Sequence, residues 1–135
     1  VAVGMSSEEM KRHYTAVLKG HIALARAVFP AGTTGAQLDV LARQYLWEMG
    51  LDYAHGTGHG VGMFLNVHEG PAGISARAHE PLVEGMILSN EPGYYEEGSH
   101  GIRIENLIQV KKAPEPFADG RDRYYFETIS LVPFD

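Results

Sequence analysis

Three stretches decide how this chain is read: HGTGHGVGMFLNVHEG (55–70), EGMILSNEPGYY (84–95) and GIRIEN (101–106). Histidines, glutamates and an arginine stand there among glycines. His59, Glu91 and Glu105 are potential metal ligands, and His55, His68 and Arg103 are potential substrate-handling groups. Gly56, Gly58, Gly60 and Gly62 alternate through the first stretch, which suits close approach of backbone or ligand and excludes a helix. His55 and His59 therefore fail the HExxH helix signature, which also needs Glu beside the first His. On an extended segment, positions four apart still face one side.

Working outward, Met86–Leu88 begins a strand that carries into Ser89, Asn90 and Glu91 and is terminated by Pro92-Gly93. Glu96–His100 reads as a polar turn. Ile102 and Ile104 alternate with Arg103 and Glu105, and the run continues to Val110, giving one long strand with Arg103 and Glu105 on the same side. Residues 71–83 read as a loop, Lys111–Arg123 as a charged hairpin loop, and Tyr124–Val132 as a last strand. A histidine and two carboxylates from neighbouring strands suit a hard or borderline divalent metal such as Mn, Co, Zn or Fe. Singly, each of these residues has an ordinary structural explanation. Their shared segment and inward positions on apolar strands favour a site. His13, His21 and His79 are read as structural, and His100 as a turn residue.

Upstream, Val1–Val3 reads as a strand end. Ser6 with Glu9 forms a capping box. Met10, Tyr14, Val17, Leu18, His21, Ile22, Ala25 and Val28 then recur at helical spacing. Gly20 costs this helix about 1 kcal/mol against Ala, and Pro30-Ala31-Gly32 ends it. Thr34 caps a second helix with Leu38, Leu41, Ala42, Tyr45, Leu46 and Met49 on its buried side, and Gly50 stops it.

The 135 residues suffice for one domain with a core, and 44% hydrophobic with 21% charged is ordinary globular composition. A net charge of −6 argues against general nucleic-acid binding. With no cysteine there is no disulfide framework and no thiolate metal site. No apolar run reaches membrane-span length and the N-terminus is not a signal peptide, so no membrane partner and a cytoplasmic location are expected. The start within VAV and the end on LVPFD read as cuts through a larger protein.

HGTGHGVG, LNVHEGP, SNEPGYY, GIRIEN and FETISLVPFD together closely resemble the aminopeptidase P (Xaa-Pro aminopeptidase) family, nearest its longer, cytosolic type, in a superfamily with prolidase, creatinase and methionine aminopeptidase. The resemblance covers essentially the whole chain. It implies an α+β class: half of a pita-bread fold, two amphipathic helices packed on a curved, mostly antiparallel sheet. Residues 1–135 would be a single partial domain, the C-terminal half of the catalytic domain. It implies two divalent metals, manganese foremost, held by two Asp, one His and two Glu, of which His59, Glu91 and the bridging Glu105 match. His55 and His68 match substrate-contacting histidines, and Arg103 an arginine near the proline end of the site. Asn90 stands where Asp also occurs.

The two Asp ligands have no counterpart: Asp39, Asp52, Asp119, Asp122 and Asp135 sit in the wrong contexts, so weak or no metal binding and no activity are expected of this chain alone. In the whole enzyme Glu91 would be the general base and His68 would stabilise the oxyanion. The substrate implied is a peptide with proline second, cut before the proline. The expected partners are that peptide, the remainder of the catalytic domain and further copies in a homo-oligomer. The alternatives are a prolidase-type dipeptidase and a non-enzymatic pita-bread module that binds peptides or proteins.

Overall fold

The computed structural model describes residues 4–62 and 69–130. The expected strand end at Val1–Val3, His68, and the end of the last strand beyond Ser130 lie outside them. The elements run α1 (Glu8–Ala25), β1 (Val28–Pro30), α2 (Gly35–Glu48), β2 (Gly58–Gly60), β3 (Glu69–Ile74), β4 (Ile87–Asn90), β5 (Gly93–Glu96), β6 (His100–Arg103), β7 (Asn106–Lys112) and β8 (Arg123–Thr128).

Ser7, not Ser6, caps α1: its side chain accepts the Met10 amide at 3.1 Å. That register puts Glu8 and Glu9 in the first turn, where the helix dipole favours carboxylates. The buried stripe is His13, Ala16, Val17, Gly20, His21 and Leu24. It is rotated from the expected apolar face, and Ile22 is 44% exposed. Small and polar residues are what the neighbouring helix accepts here. A Cβ on Gly20 would lie 2.1 Å from the Ala42 carbonyl oxygen of α2, so the two helices meet backbone to backbone. The helix ends at Ala25. Val28, expected on it, belongs instead to β1, a sheet-edge strand that tolerates Pro30.

α2 starts where the sequence indicates. The Thr34 amide donates to Gln37 Oε1 at 2.9 Å, the Gln37 amide donates to Thr34 Oγ1 at 3.4 Å, and together they close a capping box. Leu38, Ala42 and Leu46 are buried as expected, whereas Met49 is 40% exposed.

Six strands form one sheet in the order β1-β8-β7-β4-β2-β3, and β5 pairs with β6 in a separate hairpin. Every pairing among the described strands is antiparallel. β3 occupies part of the stretch expected to be a loop. Its glycine-containing sequence carries no strand signal, and its partner β2 is equally glycine-rich, with His59 opposite Gly73. Leu24, Leu38 and Ala42 of the helices pack with Leu88, Ile108, Val110 and Phe126 of the sheet. A second cluster joins Val17 and Leu46 to Tyr53, Tyr94 and Ile104 and holds the β5–β6 hairpin against the helices. Each fully buried Leu or Ile contributes about 1.5–3 kcal/mol relative to exposure.

The long strand expected over Ile102–Val110 is broken at Ile104–Glu105 into β6 and β7. His100, expected in a turn, opens β6. Pro92 is the physical cause of the break. Asn90 is opposite Asn106 on one side of the gap and Gly93 opposite Arg103 on the other. The register is thus continuous, and Pro92 faces Ile104. Ile104 donates its amide to the Pro92 carbonyl at 3.2 Å. Pro92 has no N–H to return, so half the pair is missing and the ladder opens.

Candidate functional site

That gap is where the site residues gather. By register Glu91 stands opposite Glu105, each just beyond the end of a β4 or β7 strand. The Glu91 amide donates to the Thr57 carbonyl at 2.7 Å, which ties the gap to the segment leading into β2.

His59 sits in β2. Its amide donates to Ser89 Oγ at 3.0 Å, and its Nδ1 lies 3.0 Å from the Gly60 carbonyl oxygen. A carbonyl only accepts, so Nδ1 carries the proton and Nε2 is the coordinating-type nitrogen. Nε2 faces Glu91 Oε2 at 3.4 Å, longer than a good hydrogen bond. Gly58 makes this approach possible, since a Cβ there would lie 2.0 Å from the Ser89 carbonyl oxygen.

Arg103, at the end of β6, brings Nη2 to 3.6 Å from Glu91 Oε1. Burial raises the Glu105 carboxyl above its ordinary pKa, and the charge and hydrogen bond of Glu91 add to the rise, while Arg103 and His59 oppose it. Arg103 and Glu105 thus act on the same partner, although the broken strand removes the simple alternation expected to align them.

His55 lies outside any strand. Its Nδ1 is 2.8 Å from the Gly56 carbonyl oxygen, and its Nε2 is 2.9 Å from the Tyr95 hydroxyl. The Arg103 guanidinium lies 6.0 Å from the centre of the Tyr95 ring. Tyr95 therefore joins His55 to Arg103, a role not singled out from sequence. The available signal was its place in NEPGYY, three residues beyond the proline that opens the ladder. His68 lies outside the described residues.

The donor set of one imidazole and two carboxylates suits a hard or borderline dication. Burial and the neighbouring Glu91 both hinder ionisation of Glu105, which is the condition a dication between the two side chains would relieve. Among the described residues no group of three His, Asp or Glu side chains forms a ready-made metal cage. The three donors come from β2 and from the two residues that face each other across the gap.

The structural histidines separate from this cluster. His13 is buried, with Nδ1 3.0 Å from His100 Nε2. Burial lowers the pKa of His21 to about 4 and keeps it neutral near pH 7. His79 is exposed.

The chain belongs to metallopeptidase family M24, whose sequence profile matches residues 1–112. It is 58% identical to a probable Xaa-Pro aminopeptidase P of Botryotinia fuckeliana, over 97% of this chain and 21% of that protein. The same identity holds for the probable Xaa-Pro aminopeptidase P of Sclerotinia sclerotiorum, over 97% of this chain and 22% of that one. The chain spans about a fifth of the length of these curated relatives. Among solved structures, the X-prolyl aminopeptidase of Caenorhabditis elegans, described as a cytosolic enzyme with a di-nuclear active site, superposes with a TM-score of 0.87. Its sequence identity is 46%, over 96% of this chain and 21% of that one. The Xaa-Pro dipeptidase of Bacillus anthracis superposes with a TM-score of 0.79 at 34% identity, over the whole of this chain and 34% of that one. Two helices on an antiparallel sheet are accordingly half of a pita-bread fold.

Proposed function

We propose that this chain is the C-terminal half of the catalytic domain of an Xaa-Pro aminopeptidase, which hydrolyses the bond between an N-terminal residue and a following proline. The observation that carries it is Glu91 opposite Glu105 at an opened ladder, with His59 and Arg103 on the two oxygens of Glu91. Relatives at 58% identity named probable Xaa-Pro aminopeptidase P support the substrate class.

His59, Glu91 and Glu105 would hold two divalent metals together with two carboxylates from outside these 135 residues. Manganese is the first choice, and Co, Zn and Fe also suit the donors. When bound, the metals supply Lewis acidity at the scissile carbonyl and lower the pKa of a water toward neutrality. Glu91 accepts the proton from the attacking water, and Arg103 places a cation beside its Oε1. His59 is fixed in one tautomer by the Gly60 carbonyl. His55, oriented by Gly56 and Tyr95, contacts the substrate, with Arg103 toward its proline end. His68 stabilises the oxyanion.

We assign the protein to the cytoplasm, as described for the C. elegans relative, and expect a homo-oligomer. No described helix is long and apolar enough to cross a membrane. The test is to give the full-length protein Xaa-Pro-Yaa peptides and Xaa-Pro dipeptides. Cleavage of the longer peptides is expected. The likeness to an Xaa-Pro dipeptidase supports a second reading, in which only dipeptides are cleaved. Binding without cleavage of either would make it a non-enzymatic peptide-binding module.

A further inference from the structure

We propose that Arg43 of α2 is a positioning residue for the site: anchored by Asp39, it fixes residues 52–57 and through them His55 and the backbone of Glu91. This rests on the assignment of His55 and Glu91 to the site.

Residues 51–57 link α2 to β2 without belonging to a helix or strand, so their carbonyls need other partners. The guanidinium supplies them. Arg43 Nη1 donates to the Tyr53 carbonyl at 2.6 Å and to Asp52 Oδ1 at 2.8 Å, and Nη2 donates to the His55 carbonyl at 2.8 Å. The guanidinium also lies 3.9 Å from the centre of the Tyr53 ring. Nε donates to Asp39 Oδ2 at 2.7 Å, one helical turn back. Both partners are buried, at 7% and 3% exposure, where a lone charge would be costly and a paired, hydrogen-bonded one is tolerated.

The other oxygen of Asp39 extends the connection. Thr57 Oγ1 donates to Asp39 Oδ1 at 2.5 Å, which uses the only hydroxyl proton of Thr57. Tyr53 must then be the donor in its 2.5 Å contact with Thr57 Oγ1. Burial supports this by pushing the Tyr53 pKa up to about 12. The Thr57 carbonyl receives the Glu91 amide. One ion pair inside α2 thereby holds the segment on which His55 sits and the backbone on which Glu91 hangs, without touching either side chain's polar atoms. A lysine would keep the charge but lose the planar fork that reaches two carbonyls and two carboxylates at once.

The test uses the full-length protein with Arg43→Lys, Thr57→Val and, as a control on the exposed side of α2, Val40→Ala. Arg43→Lys should lower kcat/KM on an Xaa-Pro-Yaa peptide about ten- to a hundredfold, the scale of a small misplacement of reacting groups. Metal content measured on the purified protein should be unchanged, and Val40→Ala should match the parent. In ¹⁵N-histidine spectra the single-tautomer signal of His55, protonated at Nδ1, should become mixed in Arg43→Lys. General destabilisation would lower Tm but leave that signal unchanged in the folded molecules. A folded Arg43→Lys protein with parental kcat/KM and an unaltered His55 signal overturns the proposal. If Arg43→Lys does not fold, Thr57→Val carries the test by the same two measurements: a shift in both supports the proposal, and parental values overturn it. If the parent cleaves no proline peptide, the proposed activity fails, while the His55 spectrum still decides the role of Arg43.

Discussion

Glu91 and Glu105 face each other across the two-residue gap where β4 and β7 give way to β5 and β6, and burial, reinforced by Glu91, raises the pKa of Glu105. A carboxyl whose folded-state pKa is raised is more easily protonated in the folded than in the unfolded chain. Its favourable contribution is complete below the unfolded pKa and is lost as pH rises through the folded value. The metal-free full-length protein should therefore lose thermal stability as pH rises from the ordinary carboxylate range through the raised value. Glu105→Gln should flatten the dependence in that window. Thermal unfolding across pH, with chelator present, checks this; an equal slope in both proteins would count against the Glu91–Glu105 coupling.

Gly20→Ala separates helix propensity from packing. In an exposed helix interior the change would stabilise by about 1 kcal/mol. Here the new Cβ would stand 2.1 Å from the Ala42 carbonyl, so α1 and α2 must move apart. We expect a loss of about 1–3 kcal/mol, the usual range for overpacking. Denaturant unfolding of the full-length protein gives the sign directly.

The same glycine illustrates what the sequence makes legible. Both helices are visible from their apolar spacing, and Thr34 is visible as a cap because capping depends on neighbours three residues away. Gly20 reads as a mere cost, because the helix that needs it begins 15 residues later. The break at Ile104–Glu105 is hidden for a like reason. The run from Ile102 to Val110 holds no proline or glycine to mark a break, and the proline that opens the ladder lies on the opposite strand. Asp39 and Arg43 form an i,i+4 pair on the helix face that also buries Leu38, Ala42 and Leu46. Considered only as a possible metal ligand, Asp39 looks out of place; considered with Arg43, it is an anchor. The grouping of His59, Glu91, Glu105 and Arg103 is apparent from the motifs. The contacts through Tyr95 depend on a hairpin that the sequence reads as a strand stop at Pro92-Gly93, a turn over Glu96–His100 and the start of a longer run.

Tyr95→Phe removes the hydroxyl that meets His55 Nε2 at 2.9 Å but keeps the ring near Arg103. His55 keeps its Gly56 contact and loses its second orienting partner. In the full-length enzyme kcat/KM on an Xaa-Pro-Yaa peptide should fall about tenfold, the lower end of what misorientation costs. Tm should change little, because Tyr95 is 46% exposed. Steady-state kinetics beside a melting curve distinguishes this from a packing defect.

The 135-residue polypeptide itself should bind divalent metal weakly or not at all and should not cleave Xaa-Pro peptides. Its described donors are one imidazole and two mutually repelling carboxylates, and no three of its described His, Asp or Glu side chains form a ready-made cage. Water can fill open coordination positions, but it brings neither the negative charge nor the fixed geometry of further carboxylates. Glu91 is also partly engaged by Arg103 at 3.6 Å, a cation that competes for the same oxygens. Calorimetric titration with Mn²⁺ or Co²⁺, run on this polypeptide and on the full-length protein, makes the comparison. Tight uptake of two ions is expected only for the full-length protein. Tight two-ion binding by the 135 residues, or turnover of a proline peptide by them, would mean that His59, Glu91 and Glu105 suffice and that the two further carboxylates are unnecessary.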